Sequence, residues 1–398
     1  MSRGKMQIIR ALLEGRIEPS KELMEDITLC TFCGLCRQIC HNGNDPNVSL
    51  PISRVTDQEL VFEALRADLI RLGIDPIPKH QDMLNSLRVN RVKDAWNPWA
   101  TNPFGEKKED RDKWTQHLDF KMKDLREDVE AEYLLHIGCT ASYLHPDVAV
   151  AAAKLLHAAG VDFGYLYSDE PCCGWPAKKI GDWLMYKEEF AEPNIELFNR
   201  LYEEKGVEKI VAVCSGCTKM FYQEYYDDRF YSFFGFEKLK PDVLHLPELI
   251  LDLIEEEALQ FPENGTKYKI TYHDPCRTGR RLGLIETPRK IIEKVPQLEL
   301  VEMKNNREFS RCCGVGGVVK DGHPEVGLQI GMKRVEEAEE TGAEYLVSVC
   351  PECKRGLAES ADAMKSKFAE EADDRFLKTY YKGKVRDLSE MLCAILGV

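Results

Sequence analysis

The sequence lacks any long uninterrupted apolar run. No stretch of its 398 residues reaches the ~18 apolar residues that a membrane-spanning helix needs, so we expect no transmembrane segment. Residues 1–5 lead into a charged segment and not into the apolar stretch that marks a secretory signal. We therefore expect a cytoplasmic protein, or one at the cytosolic face of a membrane complex.

Positive charge is also scarce. The 54 lysines and arginines are outnumbered by 68 aspartates and glutamates, which gives a formal net charge of −14. An acidic surface repels phosphate backbones, so we expect no nucleic-acid partner. A full dinucleotide-binding loop is missing as well, because residues 314–319, GVGGVV, do not complete the G-x-G-x-x-G pattern. Electrons then have to come from a partner that carries a cofactor for hydride or quinol oxidation.

Cysteine, in contrast, is abundant. The chain has 15 cysteines, and an odd number without an export signal argues against a disulfide scaffold. Fourteen of them fall into three groups, and Cys393 stands alone. Grouped thiols in a reducing compartment indicate metal or redox chemistry. Cys393, on an apolar helical segment, is expected to be a small buried residue.

The first group has the compact spacing C-x2-C-x2-C-x3-C. This is the run that holds cubane [4Fe–4S] clusters in bacterial ferredoxins, whereas zinc sites usually separate their ligands into two pairs. The predicted metal ligands are Cys30, Cys33, Cys36 and Cys40. In two-cluster ferredoxins the last cysteine serves the other cluster, and no second run follows here. The fourth ligand of this cluster is therefore either Cys40 or a residue from elsewhere in the chain.

The other two groups repeat one pattern, Cys…Cys-Cys-Gly…Cys-x-x-Cys. Corresponding landmarks are separated by 137, 140 and 136 residues, which indicates an internal duplication. Five thiolates exceed what a cubane cluster requires, so each set suggests a cluster of unusual shape. The predicted metal ligands and catalytic residues are Cys139, Cys172, Cys173, Cys214 and Cys217 in the first set, and Cys276, Cys312, Cys313, Cys350 and Cys353 in the second.

Basic residues and histidines flank these sets. We expect the basic residues to bind an anionic substrate or to stabilise reduced clusters, although a solvated surface is the simpler explanation for most of them. They are Lys178, Lys179, Arg277, Arg280 and Arg281. His136 and His273 lie three residues before Cys139 and Cys276. They are candidate proton donors, but a buried structural role is the simpler explanation for each.

The predicted fold is α/β: an N-terminal α-helical ferredoxin-like domain is followed by two duplicated, Rossmann-like cysteine-rich domains. Helices are expected over 7–29, with an interruption near Gly15 and Pro19, and over 57–75. From about residue 131 short apolar strands alternate with helices, which indicates a mostly parallel sheet. The expected domains are 1–118, which includes a Trp/Pro-rich arm over 95–114, then 131–262 and 266–398.

This doubled cysteine pattern resembles the cysteine-rich CCG domain family of iron–sulfur proteins. With the cubane run in front of it, the chain is most similar to the D subunits and B-like subunits of heterodisulfide reductases. The resemblance implies one cubane [4Fe–4S] cluster and two noncubane [4Fe–4S] clusters, one in each five-cysteine set. It also implies that the two noncubane clusters face each other across a cavity in which a disulfide is split.

The resemblance predicts an iron–sulfur oxidoreductase subunit that moves electrons from the cubane cluster to the two noncubane clusters, which reduce or form a small-molecule disulfide. The expected partners are a flavoprotein, a ferredoxin-like subunit or a cytochrome b subunit of a redox complex. The alternative is a non-catalytic electron-transfer subunit of a lactate, glycolate or glycerol-3-phosphate dehydrogenase, or of an acyl-CoA reductase-type complex. The two hypotheses differ in the cavity, which should be open and basic in a reductase and filled by side chains in a relay.

Overall fold

A computed structural model of the chain describes residues 2–40, 57–88, 102–225, 234–371 and 384–398, without the side chains of residue 40 and of residues 367–371. The α-helices of these ranges are α1 (Ser2–Leu13), α2 (Lys21–Thr28), α3 (Leu35–Cys40), α4 (Gln58–Arg71), α5 (Pro78–Leu87), α6 (Cys139–Tyr143), α7 (Pro146–Ala158), α8 (Trp175–Ile180), α9 (Trp183–Met185), α10 (Glu192–Lys205), α11 (Ser215–Lys219), α12 (Leu246–Glu255), α13 (Thr287–Lys294), α14 (Val319–Gly322), α15 (Pro324–Glu339), α16 (Pro351–Glu371) and α17 (Leu388–Leu396).

The N-terminal part is helical, as the apolar periodicity predicts. The expected interruption is present, since α1 ends before Gly15 and α2 begins after Pro19, with the Ser20 side chain capping Leu23. Apolar side chains of α2 and α4 form a small core. Part of the Trp/Pro-rich arm, residues 95–101, lies outside the described residues. The rest of the arm contains two 3₁₀ turns, Lys108–Asp110 and Lys113–His117.

Five parallel strands form the first sheet. They are β1 (Lys123–Asp124), β2 (Tyr133–His136), β3 (Phe163–Tyr165), β4 (Lys209–Ala212) and β5 (Asp242–His245), in the order β1-β3-β2-β4-β5. Strands β2 and β4 lie within the apolar segments 132–139 and 208–217, in the region where alternating strands and helices are expected. Both strands end before their cysteines, which belong to the loops and helices that follow.

The second sheet repeats this order. Its parallel strands are β6 (Tyr268–Tyr272), β7 (Leu298–Leu300), β8 (Tyr345–Ser348) and β9 (Val385–Asp387), in the order β7-β6-β8-β9. Strand for strand this is β3-β2-β4-β5 of the first sheet, and within the described residues β1 has no counterpart in the second sheet. The duplication inferred from the cysteine spacing is therefore also a duplication of topology.

The two repeats pack against each other reciprocally. Helix α12, which follows the last strand of the first repeat, contacts α13 of the second; α17, its counterpart, contacts α7, the counterpart of α13. Buried apolar side chains from both sheets form shared cores. Exchange of equivalent contacts is the pattern of a two-fold symmetric pair. This packing turns the carboxyl ends of both sheets toward each other. None of the helices in the described ranges has the length and apolar character needed to cross a membrane.

Candidate metal centres

The cysteines of both repeats lie at the carboxyl ends of the parallel strands. Cys139 follows β2 and begins α6, and Cys214 follows β4 and precedes α11. The Cys-Cys-Gly segments come from the loops that follow β3 and β7. Open parallel sheets place their sites at this edge. Each five-cysteine set is thereby collected from three separate segments into one place.

One cavity is bounded by both sets. Its empty volume, which includes space open to solvent, is about 860 Å³, and its wall includes nine of the ten cysteines, all except Cys312. The thiols of Cys214 and Cys350 are close enough to hydrogen-bond between the repeats. The remaining wall is mainly apolar, with Met83, Phe104 and Trp175. Two basic residues, Arg277 and Arg355, and two acidic residues, Asp321 and Glu352, also line it.

In the first repeat, a buried ion pair supports Cys139. Arg111 Nη2 donates to Glu170 Oε1 at 2.6 Å, and Arg111 Nη1 lies 3.5 Å from Cys139 Sγ. Glu170 also accepts from the backbone N–H groups of Ile137 and Gly138, at 2.6 and 2.9 Å. This fully buried carboxylate therefore fixes the loop that carries Cys139.

The second repeat holds its site differently. Arg334 Nε donates to His273 Nδ1 at 3.1 Å, and the Gly314 N–H lies 3.3 Å from Cys312 Sγ. Gly314 has a φ of +91°, and a Cβ there would overlap the Gly327 carbonyl oxygen of α15. Glycine is thus required both by the left-handed conformation and by the close approach of a helix.

The N-terminal cysteine run lies against the second repeat. Cys30, Cys33 and Cys36 are half-buried, and the thiols of Cys33 and Cys312 are close enough to hydrogen-bond. Arg280 Nε donates to the Cys33 carbonyl at 2.8 Å. Side chains at Gly316 and Gly317 would overlap the carbonyl oxygens of residues 31 and 30. These glycines thus permit the close contact. The side chain of Cys40 lies outside the described residues.

Arg66 joins the three parts of the chain. Its buried guanidinium donates to the carbonyls of Ile27 and Cys30 in the N-terminal part, at 3.1 and 3.2 Å. It also donates to Lys179 at 2.6 Å and to Gly317 at 2.9 Å, one in each repeat. Burial lowers the pKa of Arg66 to about 10, so it remains cationic at neutral pH. A single side chain therefore fixes the cysteine run relative to both repeats.

The predicted anion-binding residues are mostly engaged inside the protein. Lys178 and Lys179 are fully buried and pair with carboxylates, while Arg280 donates to backbone carbonyls. The pairs are Lys178 with Glu63 and Glu224, Lys179 with Glu59 and Glu63, Arg277 with Glu59, and Arg281 with Asp57 and Glu59. Of the five predicted residues, the structure places Arg277 on the cavity wall and the other four away from it.

These pairs shift the pKa values of the buried groups. Burial opposes ionisation of Glu59, but Arg281 and Arg277 hold its pKa well below the usual range. Burial lowers the pKa of Lys179 to about 7 in spite of the neighbouring Glu63. The basic residues therefore hold helix α4 against both repeats through its carboxylates.

Each set contains at least one thiol whose pKa is lowered by hydrogen bonds from its neighbours. Hydrogen bonds from Cys172 and Cys217 lower the pKa of the Cys173 thiol to about 5. Those from Cys312 and Cys353 lower that of Cys313 to about 6. Thiolates are the ligands of iron–sulfur clusters, and five converging sulfurs in a mainly apolar, glycine-lined space fit such a group. The donor sets of both repeats are therefore suited to iron–sulfur clusters.

Sequence reasoning missed the residues that support these sites. Glu59, Glu63 and Arg66 recur at helical spacing along α4 beside the buried Phe62, Leu65 and Leu69, whereas the apolar Leu60 of the same helix is 37% exposed. Charged residues inside a buried stripe were the available signal. Arg111 and Arg334 had no comparable signal, because their partners are distant in sequence. Cys393 is buried on α17, as expected, and donates to the Val398 carbonyl at 2.9 Å.

Comparison with known proteins identifies the domains. Residues 133–222 and 270–358 match the model of the CCG cysteine-rich domain. The D subunit of the dihydromethanophenazine:CoB–CoM heterodisulfide reductase of Methanosarcina mazei is 33% identical over 363 residues, which cover 90% of this chain and 79% of that protein. The duplicated unit of the sequence and of the sheets is thus a known domain.

Two larger proteins are also similar. The probable iron–sulfur-binding oxidoreductase FadF of Bacillus subtilis is 33% identical, over 94% of this chain and 47% of that protein. EtfAB:quinone oxidoreductase of Syntrophomonas wolfei is 29% identical, over 92% of this chain and 46% of that protein. The chain spans about half the length of these two relatives. Taken with the two CCG domains and the D-subunit relatives, the chain belongs to the heterodisulfide reductase D-subunit family of iron–sulfur oxidoreductases.

Proposed function

We propose that this chain is the disulfide-handling iron–sulfur subunit of a redox complex. One cubane [4Fe–4S] cluster would be held by the cysteines at 30, 33, 36 and 40 in a ferredoxin-like helical domain. Two noncubane [4Fe–4S] clusters would be held by the five-cysteine sets, within domains close to 131–262 and 266–398. The observation that carries the proposal is the cavity whose wall contains cysteines of both sets.

The cavity favours a reductase over a simple relay. A relay requires clusters within tunnelling distance but no opening between them. Here one cavity with an open mouth is lined by thiols of both sets, and its wall also carries Arg277, Arg355, Asp321 and Glu352. When bound, the clusters would supply two electrons, one each. Reduction of a disulfide RSSR′ consumes these electrons and two protons and gives two thiols.

The residues of the chain would bind and orient such a substrate. Met83, Phe104 and Trp175 offer apolar and aromatic surface to the substrate's carbon chain. Arg355, whose guanidinium lies 5.6 Å from the Phe104 ring centroid, offers a charged end for a carboxylate, sulfonate or phosphate. Arg355 is also paired with Asp321 at 2.9 Å, with Glu359 at 3.2 Å and with Glu352 at 3.7 Å, so a bound anion would compete with these carboxylates.

Electrons would reach the duplicated part through the second repeat. The Cys33 and Cys312 thiols are neighbours, so a cluster on the N-terminal run would lie next to the second set. Partners that donate electrons, a flavoprotein, a ferredoxin-like subunit or a cytochrome b subunit, would then dock over the half-exposed cysteines of the run. The second candidate function, relay to a quinone-linked partner, is favoured by the similarity to EtfAB:quinone oxidoreductase.

The deciding experiment is an anaerobic assay with chemically reduced protein and a series of low-molecular-weight disulfides. We expect oxidation of the clusters by an anionic disulfide and release of two thiols per turnover. Arg355→Ala should raise the apparent KM about tenfold, the scale of one lost charge-assisted contact, while Arg71→Ala, at an exposed position, should leave it unchanged. If no disulfide oxidises the clusters but a partner dehydrogenase still passes electrons through them, the relay function replaces this one.

A further inference from the structure

Each repeat has a buried histidine turned toward its thiols. His136 and His273 are 0% and 1% exposed, and within the described ranges neither Nε2 atom has a hydrogen-bond partner. A ring nitrogen of His273 and the Sγ atoms of Cys313 and Cys353 all lie within 4.8 Å of one another. In the first repeat a Cβ at Gly138 would lie 3.1 Å from Cys217 Sγ and 4.0 Å from His136 Nε2. His136 Nε2 therefore lies in the neighbourhood of Cys217, and in His273 the ring nitrogen without a partner among the described residues is Nε2.

Arg334 fixes the tautomer of His273. Its Nε–H can only donate, so His273 Nδ1, at 3.1 Å, must be the acceptor and carries no proton. The guanidinium is itself held by Glu337 Oε2 at 2.7 Å and by the Asn305 carbonyl at 2.6 Å. The ring proton therefore resides on Nε2, the nitrogen that has no partner of its own among the described residues.

We propose that His273 is a dedicated N–H donor to a sulfur of the Cys313–Cys353 pair, with Arg334 as its positioning residue. The inference rests on the proposed cluster in the second set. A hydrogen bond to a ligand sulfur stabilises the more negative, reduced state, so His273 raises the reduction potential of this cluster. It does not ligate iron, because Nε2 has no free lone pair. Metal-ligating histidines show the reverse arrangement, with Nδ1–H donating to a carboxylate or carbonyl.

The first repeat has no equivalent arrangement among the described residues. At His136 a carboxylate oxygen of Glu170 lies 3.8 Å from Nδ1, an acceptor in place of the Arg334 donor. Among the described residues, no donor bonds Nδ1 and directs the ring proton onto Nε2. The two clusters are therefore expected to differ in potential although their cysteine sets match.

An EPR-monitored redox titration of the iron-loaded protein tests this. His273→Phe, which removes the donor, should lower the equilibrium constant for reduction of one cluster about tenfold, which is 59 mV for a one-electron couple. His273→Gln, whose amide can donate from the Nε2 position, should restore more than half of the shift. His136→Phe is the matched control and should leave this cluster unchanged. Equal shifts in His273→Phe and His273→Gln, or no shift, would overturn the inference.

Pulsed EPR of the unmutated holoprotein with ¹⁵N-labelled histidine provides a second readout that needs no disruptive variant. We expect a weak histidine ¹⁵N coupling that is lost in His273→Gln and kept in His136→Gln. A strong coupling, typical of iron-bound nitrogen, or no coupling would contradict the donor role. Protein that contains no iron–sulfur signal at all would instead refute the proposed function, so the two failures are distinguishable.

Discussion

The two repeats share strand order, cysteine spacing and reciprocal packing, but they differ in what surrounds the cysteines. The first set is supported by the buried Arg111–Glu170 pair, which holds the loop of Cys139. The second set is supported by Arg334 through His273 and is contacted by the N-terminal cysteine run through Cys33 and Cys312. Duplication thus preserved the thiols, while the charges around them diverged. We infer that the cluster of the second repeat receives electrons first, and that the cluster of the first repeat completes the pair of clusters.

The largest expected effect comes from removing one thiolate in either repeat. Cys173→Ala and Cys313→Ala each delete a thiol with a lowered pKa from its set, so each variant should lose one cluster, about four irons per chain, and should lose disulfide turnover. Cys393→Ala is the matched control, because this buried thiol lies outside both sets. Iron analysis and assay of the purified proteins measure both losses. Unchanged iron content in Cys173→Ala would contradict the assignment of that set.

A smaller effect is expected where the N-terminal part joins the repeats. Arg66→Leu leaves four carbonyl acceptors without their donor, so we expect a loss of about 3 kcal/mol in the free energy of unfolding. Urea unfolding measures it, and limited proteolysis should then release the N-terminal helices first. Arg71→Leu, at the exposed pair with Asp68, should cost less than about 0.5 kcal/mol. Equal costs for the two variants would contradict the joining role of Arg66.

The same junction should respond to acid. His80 is buried on α5 and lies 3.0 Å from the Val318 carbonyl of the second repeat, and burial lowers its pKa from 6.5 to about 4. Between these two pH values the unfolded chain binds a proton at His80 that the native protein does not bind. The contribution of neutral His80 to stability is therefore fully present above pH 6.5 and is lost as the pH falls toward 4. His80→Gln keeps a donor but does not titrate. It should reduce the slope of the unfolding free energy against pH by at most about 1.4 kcal/mol per pH unit. Identical slopes in the variant and the unmutated protein would exclude a role of His80 in this acid response.

Some features were predictable because they are written in local patterns. Strand and helix periodicity in the repeats predicted two parallel α/β units, and the recurring cysteine spacing predicted the duplication. Only the family resemblance predicted that the two cysteine sets face each other. The packing of α7 on α17 could not be predicted, because it has no signature in the sequence of either helix alone.

The roles of the basic residues were less predictable. Lys178 and Lys179 stand beside the Cys-Cys-Gly segment in sequence, yet α8 buries them against Glu59 and Glu63 of α4. That pairing depends on how the N-terminal part docks, which sequence spacing does not encode. Arg355, two residues after Cys353, reaches the cavity instead. Proximity in sequence to a cysteine set therefore does not by itself decide which basic residues line the cavity.

The most direct test of the inferred order of the repeats is the magnetic interaction between clusters. Spectra of reduced Cys173→Ala and Cys313→Ala proteins are compared with that of the unmutated protein. If the N-terminal cluster lies next to the second set, its EPR signal should stay broadened by spin–spin coupling in Cys173→Ala and should become narrow in Cys313→Ala. The opposite result, with coupling lost in Cys173→Ala and kept in Cys313→Ala, would contradict electron arrival through the second repeat.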